Sequence, residues 1–192
     1  MDPQHAPAAG QQWYESVYEA YATQLLAYFL RRTDSDHAHD LMADVFLVAW
    51  RRRRTAPDKP HLRAWLFKVA RNVLRNHRRG TARRSRLHAR LRFVTVTEQT
   101  PAFDEAADLG ARLRWALSRL REPDREVLQL AAWEGCTTEE IATVLGCSAN
   151  AAAVRLHRAR RRLRAVLADV SANPTQMLGN HSTAAPGDAH DA

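Results

Sequence analysis

Six arginines lie in the ten residues from Arg155 to Arg164, and the apolar positions Leu156, Ala159 and Leu163 fall among them at helical spacing. A guanidinium is a planar fork of donors that fits a phosphate or the O6/N7 edge of guanine. The chemistry on offer is recognition of anions and base edges, and either role is open to each arginine. Alone, such a run is equally a solvated surface.

What precedes it changes that reading. Pro123 suits the first turn of a helix that carries Val127, Leu128 and Ala131 and closes at Glu134-Gly135. Thr137 and Glu140 have the spacing of a capping box, and Ile141, Val144 and Leu145 supply one apolar face. Gly146 makes the turn, and Ser148 caps a third helix whose inward stripe is Ala152, Leu156, Ala159, Leu163 and Val166 or Leu167. This order predicts a helix-turn-helix with the arginine-rich helix in the major groove. The expected DNA contacts are Ser148, Asn150, Arg155, His157, Arg158, Arg161 and Arg162.

A second cationic surface is predicted upstream. A helix from about Pro60 places Leu62, Trp65, Leu66, Val69, Val73 and Leu74 on one stripe, so Lys68, Arg71, Asn72, Arg75, Asn76 and Arg79 share the other side. Two amides among one-signed charges are unusual for a plain surface helix, which gains more from mixed pairs. The charge is also segregated: Arg51 to Arg92 holds fourteen arginines and two lysines against the single acid Asp58. That asymmetry implies a polyanionic partner.

Bond-making chemistry finds little support. The chain has no phosphate-cradling glycine loop, no nucleophile elbow and no dinucleotide fingerprint. His37, His39, Asp40 and Asp44 have the residue types for a metal, but His37 and His39 are two apart and point to different sides of a helix. Cys136 and Cys147 lack CxxC spacing and read as small apolar side chains. No cofactor is expected. No apolar run is long enough to span a bilayer and no signal-peptide pattern opens the chain, so the expected setting is the cytoplasm, without membrane insertion.

These surfaces need scaffolds, and the periodicity throughout is helical: the expected fold is all-α, two small helical domains joined by a linker. Residues 1–10 and 171–192 read as disordered ends. The front domain, 11–80, has a helix from about Gln12 to Arg31 with Val17, Tyr21, Leu25 and Tyr28 inward. A second helix follows the cap signals Asp34, Ser35 and Asp36, burying Leu41, Val45 and Val48. Residues 81–104 are the expected linker. The rear domain, 105–170, opens with a helix that uses Leu113, Leu117 and Leu120 to pack on the helix-turn-helix.

The order of motifs resembles the extracytoplasmic-function group of bacterial RNA polymerase sigma factors, over about Trp13 to Val170. In front the likeness rests on the run from His39 to Trp50 and, more specifically, on Trp65 to Arg79. Behind, it rests on Thr138-Glu139-Glu140-Ile141-Ala142 and Arg155-Leu156-His157-Arg158-Ala159-Arg160. The resemblance implies a sigma region 2-like bundle and a sigma region 4-like helix-turn-helix. It implies that the helix around Asp40 to Trp50 docks on the clamp of the polymerase's largest subunit, through Asp40, Leu41, Asp44, Val45 and Val48. It implies that Thr55 to Leu62 and the helix after it open and read the minus-ten element, with Asn72 near a flipped base. The rear helix-turn-helix would read the minus-thirty-five element, the linker would thread toward the RNA exit path, and an anti-sigma factor is a common partner.

Two departures stand out. Ala43 replaces the family's usual Gln, and Asn150-Ala151-Ala152-Ala153 replaces Gly-Thr-Val-Lys/Arg at the start of the recognition helix, removing a cation. After Val170 only a short polar tail is expected. The rivals are a helix-turn-helix regulator that works without polymerase docking, and a metal-dependent nuclease using His37, His39, Asp40 and Asp44.

Overall fold

Residues 9–89 and 105–172 are described by the computed structural model, which among them forms seven helices and no strand. They are α1 (Ala9–Leu30), α2 (Ser35–Arg51), α3 (Lys59–Ala89), α4 (Glu105–Arg119), α5 (Glu122–Ala132), α6 (Thr138–Leu145) and α7 (Ala149–Ala172). Of the expected disordered ends, 1–8 and 173–192 lie outside the described residues, as do 90–104 of the expected linker, while α1 already begins at Ala9 and α7 runs to Ala172. Where the linker is expected to begin, at 81, α3 instead continues to Ala89. The stretch from Gly80 to Ala89 has one glycine and no proline, so nothing in it stops a helix already propagating.

Among the described residues one compact unit comprises 9–89 with 129–154, and a second comprises 105–128 with 155–172. The first holds the larger core. Leu25, Tyr28 and Phe29 of α1 are buried with Leu41, Val45 and Phe46 of α2 and Leu66, Phe67 and Leu74 of α3. Tyr28 meets Phe29 edge-on at 5.3 Å and Phe67 at 5.7 Å. Each such side chain taken from water stabilises by about 1.5–3 kcal/mol, which outweighs any single surface pair in the unit.

Local chemistry fixes the helix starts. Asp34 caps α2 by accepting from the backbone N–H of His37 at 2.9 Å. The imidazole of His37 sits 2.7 Å from the same carboxylate, and the two contacts hold the Asp34 carboxyl below its ordinary range. Thr137 and Glu140 form the expected reciprocal capping box on α6. Gly146 ends α6 at φ 67°, ψ 45°, a left-handed geometry in which glycine avoids the Cβ clash.

In the second unit Ala116 and Leu117 of α4 and Leu120 just after it are buried, as are Val127 and Leu128 of α5. Leu113, expected to pack with them, is 36% exposed. On α7, Leu156 and Ala159 are buried, while Leu163, Val166 and Leu167 are half-covered. The inward stripe is thus narrower and made of smaller side chains than the periodicity suggests.

Candidate nucleic-acid interface

On α3 most of the expected inward stripe is buried, with Trp65 and Val73 half-covered. Leu62, Leu66, Val69, Ala70 and Leu74 are buried, and Lys68, Asn72, Arg75, Asn76 and Arg79 are exposed, with Arg71 half-covered. Residues 68, 72, 75 and 79 recur at spacings of four and three, so they form one line along the helix. Arg79 donates to the side-chain oxygen of Asn76 at 2.5 Å, which turns that amide and leaves Asn72 as the exposed amide between Lys68 and Arg75.

A cavity of about 510 Å³ opens beside the N-terminal end of this helix, lined among others by Trp13, Tyr21, Arg53, Asp58, Lys59 and Leu62. It combines two aromatic rings with cations and a carboxylate, which suits a flat, polar-edged ligand. The sequence points to Thr55 to Leu62 but not to Trp13, Tyr21 or Arg53. The indole and phenol belong to a helix about forty residues earlier, and no local pattern marks them.

On α7, Arg155, His157, Arg158 and Arg161 are exposed, and among the described residues none of the three arginines has an ion pair. Arg162 differs. Its guanidinium donates to Asp124 at 2.5 Å, and Asp124 is 12% exposed, so this predicted DNA contact ties α7 to α5 instead. Ser148 is exposed, with its hydroxyl accepting from the N–H of Ala151 as a helix cap, and Asn150 is exposed beside it.

On α2, Asp40 and Asp44 are exposed one helical turn apart, with Leu47 continuing their side at 50% exposure. Leu41 is 4% and Val45 0% exposed, and Val48 is half-covered. The first two therefore fill the core and do not reach a partner, a correction to their expected docking role. The stripe that makes α2 pack cannot serve as core and as interface at once. The suspected metal ligands are also scattered in use: His37 faces Asp34, and the Nδ1 of His39 is 3.0 Å from the carbonyl of Ser35. Cys136 is buried, and burial, only partly opposed by the nearby Arg63 charge, pushes its thiol up to about 11. It is not a reactive thiolate at neutral pH.

Five charged residues carry pairings that no sequence pattern signals. Arg31 and Arg32 converge on Glu134, and Arg63 on Glu140. Arg31 and Arg32 read as cations at a helix end, and Glu134 as part of a turn, so nothing nearby separates them from surface charge.

Comparison with known proteins gives these arrangements relatives. The model of Sigma-70 region 2 matches residues 17–84, and that of Sigma-70, region 4 matches residues 111–163. The ECF RNA polymerase sigma factor SigL of Mycobacterium tuberculosis is 33% identical over 167 residues, covering 86% of this chain and 94% of that protein. Among solved structures, the sigma factor RpoE of Bartonella quintana, crystallised with the anti-sigma factor NepR, is 26% identical with a TM-score of 0.63, covering 80% of this chain and 96% of its own. CnrH, solved with the cytosolic domain of CnrY, is 28% identical with a TM-score of 0.56, covering 83% of this chain and 90% of its own.

Proposed function

This chain belongs to the extracytoplasmic-function sigma factors of the sigma-70 family, and from that premise we propose a division of labour among its faces. Members of the family bind core RNA polymerase and direct promoter-specific initiation without catalysing a reaction of their own, and so does this chain.

The line of Lys68, Arg71, Asn72, Arg75, Asn76 and Arg79 on α3 takes the minus-ten element. Cations there hold the backbone of a displaced strand, and the Asn72 amide offers a donor and an acceptor to the edge of an unstacked base. The aromatic-lined cavity beside Asp58 supports this reading, since a base taken from the stack needs a ring to lie against. Arg155, His157, Arg158 and Arg161 of α7, with Asn150 at its start, take the minus-thirty-five element in the major groove. Asp40, Asp44 and Leu47 of α2 meet the polymerase clamp. Two solved relatives were captured with protein partners, one of them named an anti-sigma factor, which supports such a partner for this chain. Among the described residues no helix is long and apolar enough to cross a membrane. The cytoplasm is the setting that fits a partner of core polymerase.

One observation carries the reading: two exposed cationic helix faces, on α3 and α7, in a chain that spends Arg31, Arg32 and Arg63 on carboxylates. The decisive experiment reconstitutes the chain with core polymerase and maps the genomic start sites it directs. Discrete start sites that share elements at both spacings are expected, and core enzyme that initiates identically with and without the chain overturns the reading.

A further inference from the structure

The first turns of α7 are unlike the rest of the helix. From Ile141 to Val154 the chain carries no charged residue, and the arginines begin only at Arg155. Ala149, Asn150, Ala153 and Val154 are all exposed, Val154 at 40%. The Ser148 hydroxyl accepts from the N–H of Ala151 at 3.2 Å, so it is occupied in closing the helix start. From Ala149 to Val154, Asn150 alone is polar.

Helix geometry sets where these side chains face. At about 100° per residue, Val154 stands opposite the buried Ala152, Leu156 and Ala159, with Asn150 one turn before it and Arg158 one turn after. A β-branched apolar side chain at the centre of a water-facing side favours neither solvation nor the helix, for which alanine or arginine is better. That position suits a duplex instead. In a helix-turn-helix the first residues of the recognition helix meet base edges, and the major groove presents one apolar group, the C5 methyl of thymine. An asparagine amide in the groove pairs with N6 and N7 of adenine. Neither contact needs a charge.

We infer that α7 reads the minus-thirty-five element in two chemically distinct parts. Asn150 and Val154 select an A·T stretch, Val154 by covering a thymine methyl and Asn150 by pairing with adenine, while the arginines from Arg155 onward hold phosphate and guanine. This rests on the assignment of α7 to that element. Guanidinium groups draw in any duplex through its phosphates, whereas an apolar side chain on a methyl rejects cytosine, which has none. Selection at that base pair therefore carries no salt dependence of its own.

The test uses the chain bound to core polymerase on a promoter found by start-site mapping. Each thymine of the minus-thirty-five element is replaced in turn by uracil, which keeps the base pair and lacks the methyl. One such uracil should weaken binding about fourfold, the scale for one methyl-sized group left in water. Val154→Ala should bind the unmodified promoter about as weakly, and the same uracil should then have no further effect, because both changes remove one contact. A second series with 7-deazaadenine, which lacks the N7 acceptor, should show one adenine whose replacement weakens wild type about fivefold and leaves Asn150→Ala unaffected. Both variants place the best helix former at an exposed position, so circular dichroism should report intact helicity. Protection of the element with either series flat overturns the inference, as does a sensitivity that persists in the matching alanine variant. A holoenzyme that leaves the element unprotected overturns the assignment of α7 itself, and the inference with it.

Discussion

Helices α3 and α7 each turn a row of cations outward, yet they are built on different terms. On α3 the exposed line mixes Lys68 and Arg75 with the Asn72 amide, and large apolar residues anchor the opposite side in the core. On α7 the exposed positions from Arg155 to Arg164 are all guanidinium apart from His157, and the buried stripe is mostly alanine with a single Leu156. An amide set between charges reads the edge of a base brought within reach, on a helix that cannot shift. A row of guanidinium groups reads phosphate and guanine on a duplex that presents both without being opened. The comparison teaches that net charge locates a nucleic-acid face, while the polar residues between the charges say which form of nucleic acid it meets.

The largest expected effect breaks the α7 side. Replacing Arg155, Arg158 and Arg161 together by alanine should weaken minus-thirty-five binding by the holoenzyme about a hundredfold to a thousandfold. For each phosphate that is no longer neutralised, the slope of log affinity against log salt should become shallower by about 0.9. Footprinting across a salt series measures both. An unchanged slope would mean that these arginines meet bases alone.

Next in size is the amide on α3. Asn72→Ala should slow open-complex formation about tenfold to a hundredfold, the range for removing a good pair of base hydrogen bonds. Polymerase binding and salt slope should hold, because no charge has changed. Permanganate reactivity of the melted strand reads the first, and a core-binding titration reads the second. A shallower salt slope for this variant would erase the distinction between the two helices.

How much of the molecule is legible in the sequence follows the same line. Helix α6 with its Thr137 cap, Gly146 turn and start of α7 is readable, because capping and left-handed geometry are decided by residues a few positions apart. The exposed line on α3 is readable for a similar reason: its periodicity needs only the helix itself. What sequence does not give are pairings across long separations. Nothing near Arg162 announces Asp124, and nothing near Arg63 announces Glu140. Leu41 and Val45 are legible as core from the stripe of α2, and their burial bears that out; their docking role comes only from the family resemblance, which points to a helix and not to which of its residues face outward. The end of α3 is hidden because polar, arginine-rich sequence reads as linker until a preceding helix is known to run into it.

Arg162 offers a smaller test of whether α7 is uniform. Arg162→Ala should lower the stability of the second unit by about 1 kcal/mol, the scale of a part-exposed ion pair. Asp124→Asn should cost slightly more, because it also loses the exposed 3.8 Å pair with Arg121, and the two together little more than Asp124→Asn alone, since the Arg162 pair is shared. Urea unfolding of the four proteins in the cycle measures this. If Arg162→Ala alone also flattens the salt slope by about one unit, Arg162 leaves Asp124 for a phosphate when DNA binds.

The smallest expected effect concerns the cap of α2, whose exposed Asp40 and Asp44 face the polymerase in the proposed arrangement. Asp34 accepts from the backbone and ring of His37, which holds its carboxyl below the ordinary aspartate value of 3.8. A folded-state value below the unfolded one means that the charged cap stabilises fully above the unfolded value, and that this contribution is lost as pH falls through the lower folded value. Asp34→Asn keeps a capping oxygen without the charge. The difference in α2 stability between wild type and Asp34→Asn should therefore stay constant down to about the ordinary carboxylate range and vanish only in stronger acid. Hydrogen exchange of the α2 amides across an acid series resolves it. A difference that disappears well above pH 3.8 would show that His37 leaves the carboxylate in solution, and with it the orientation that the cap gives to the docking face.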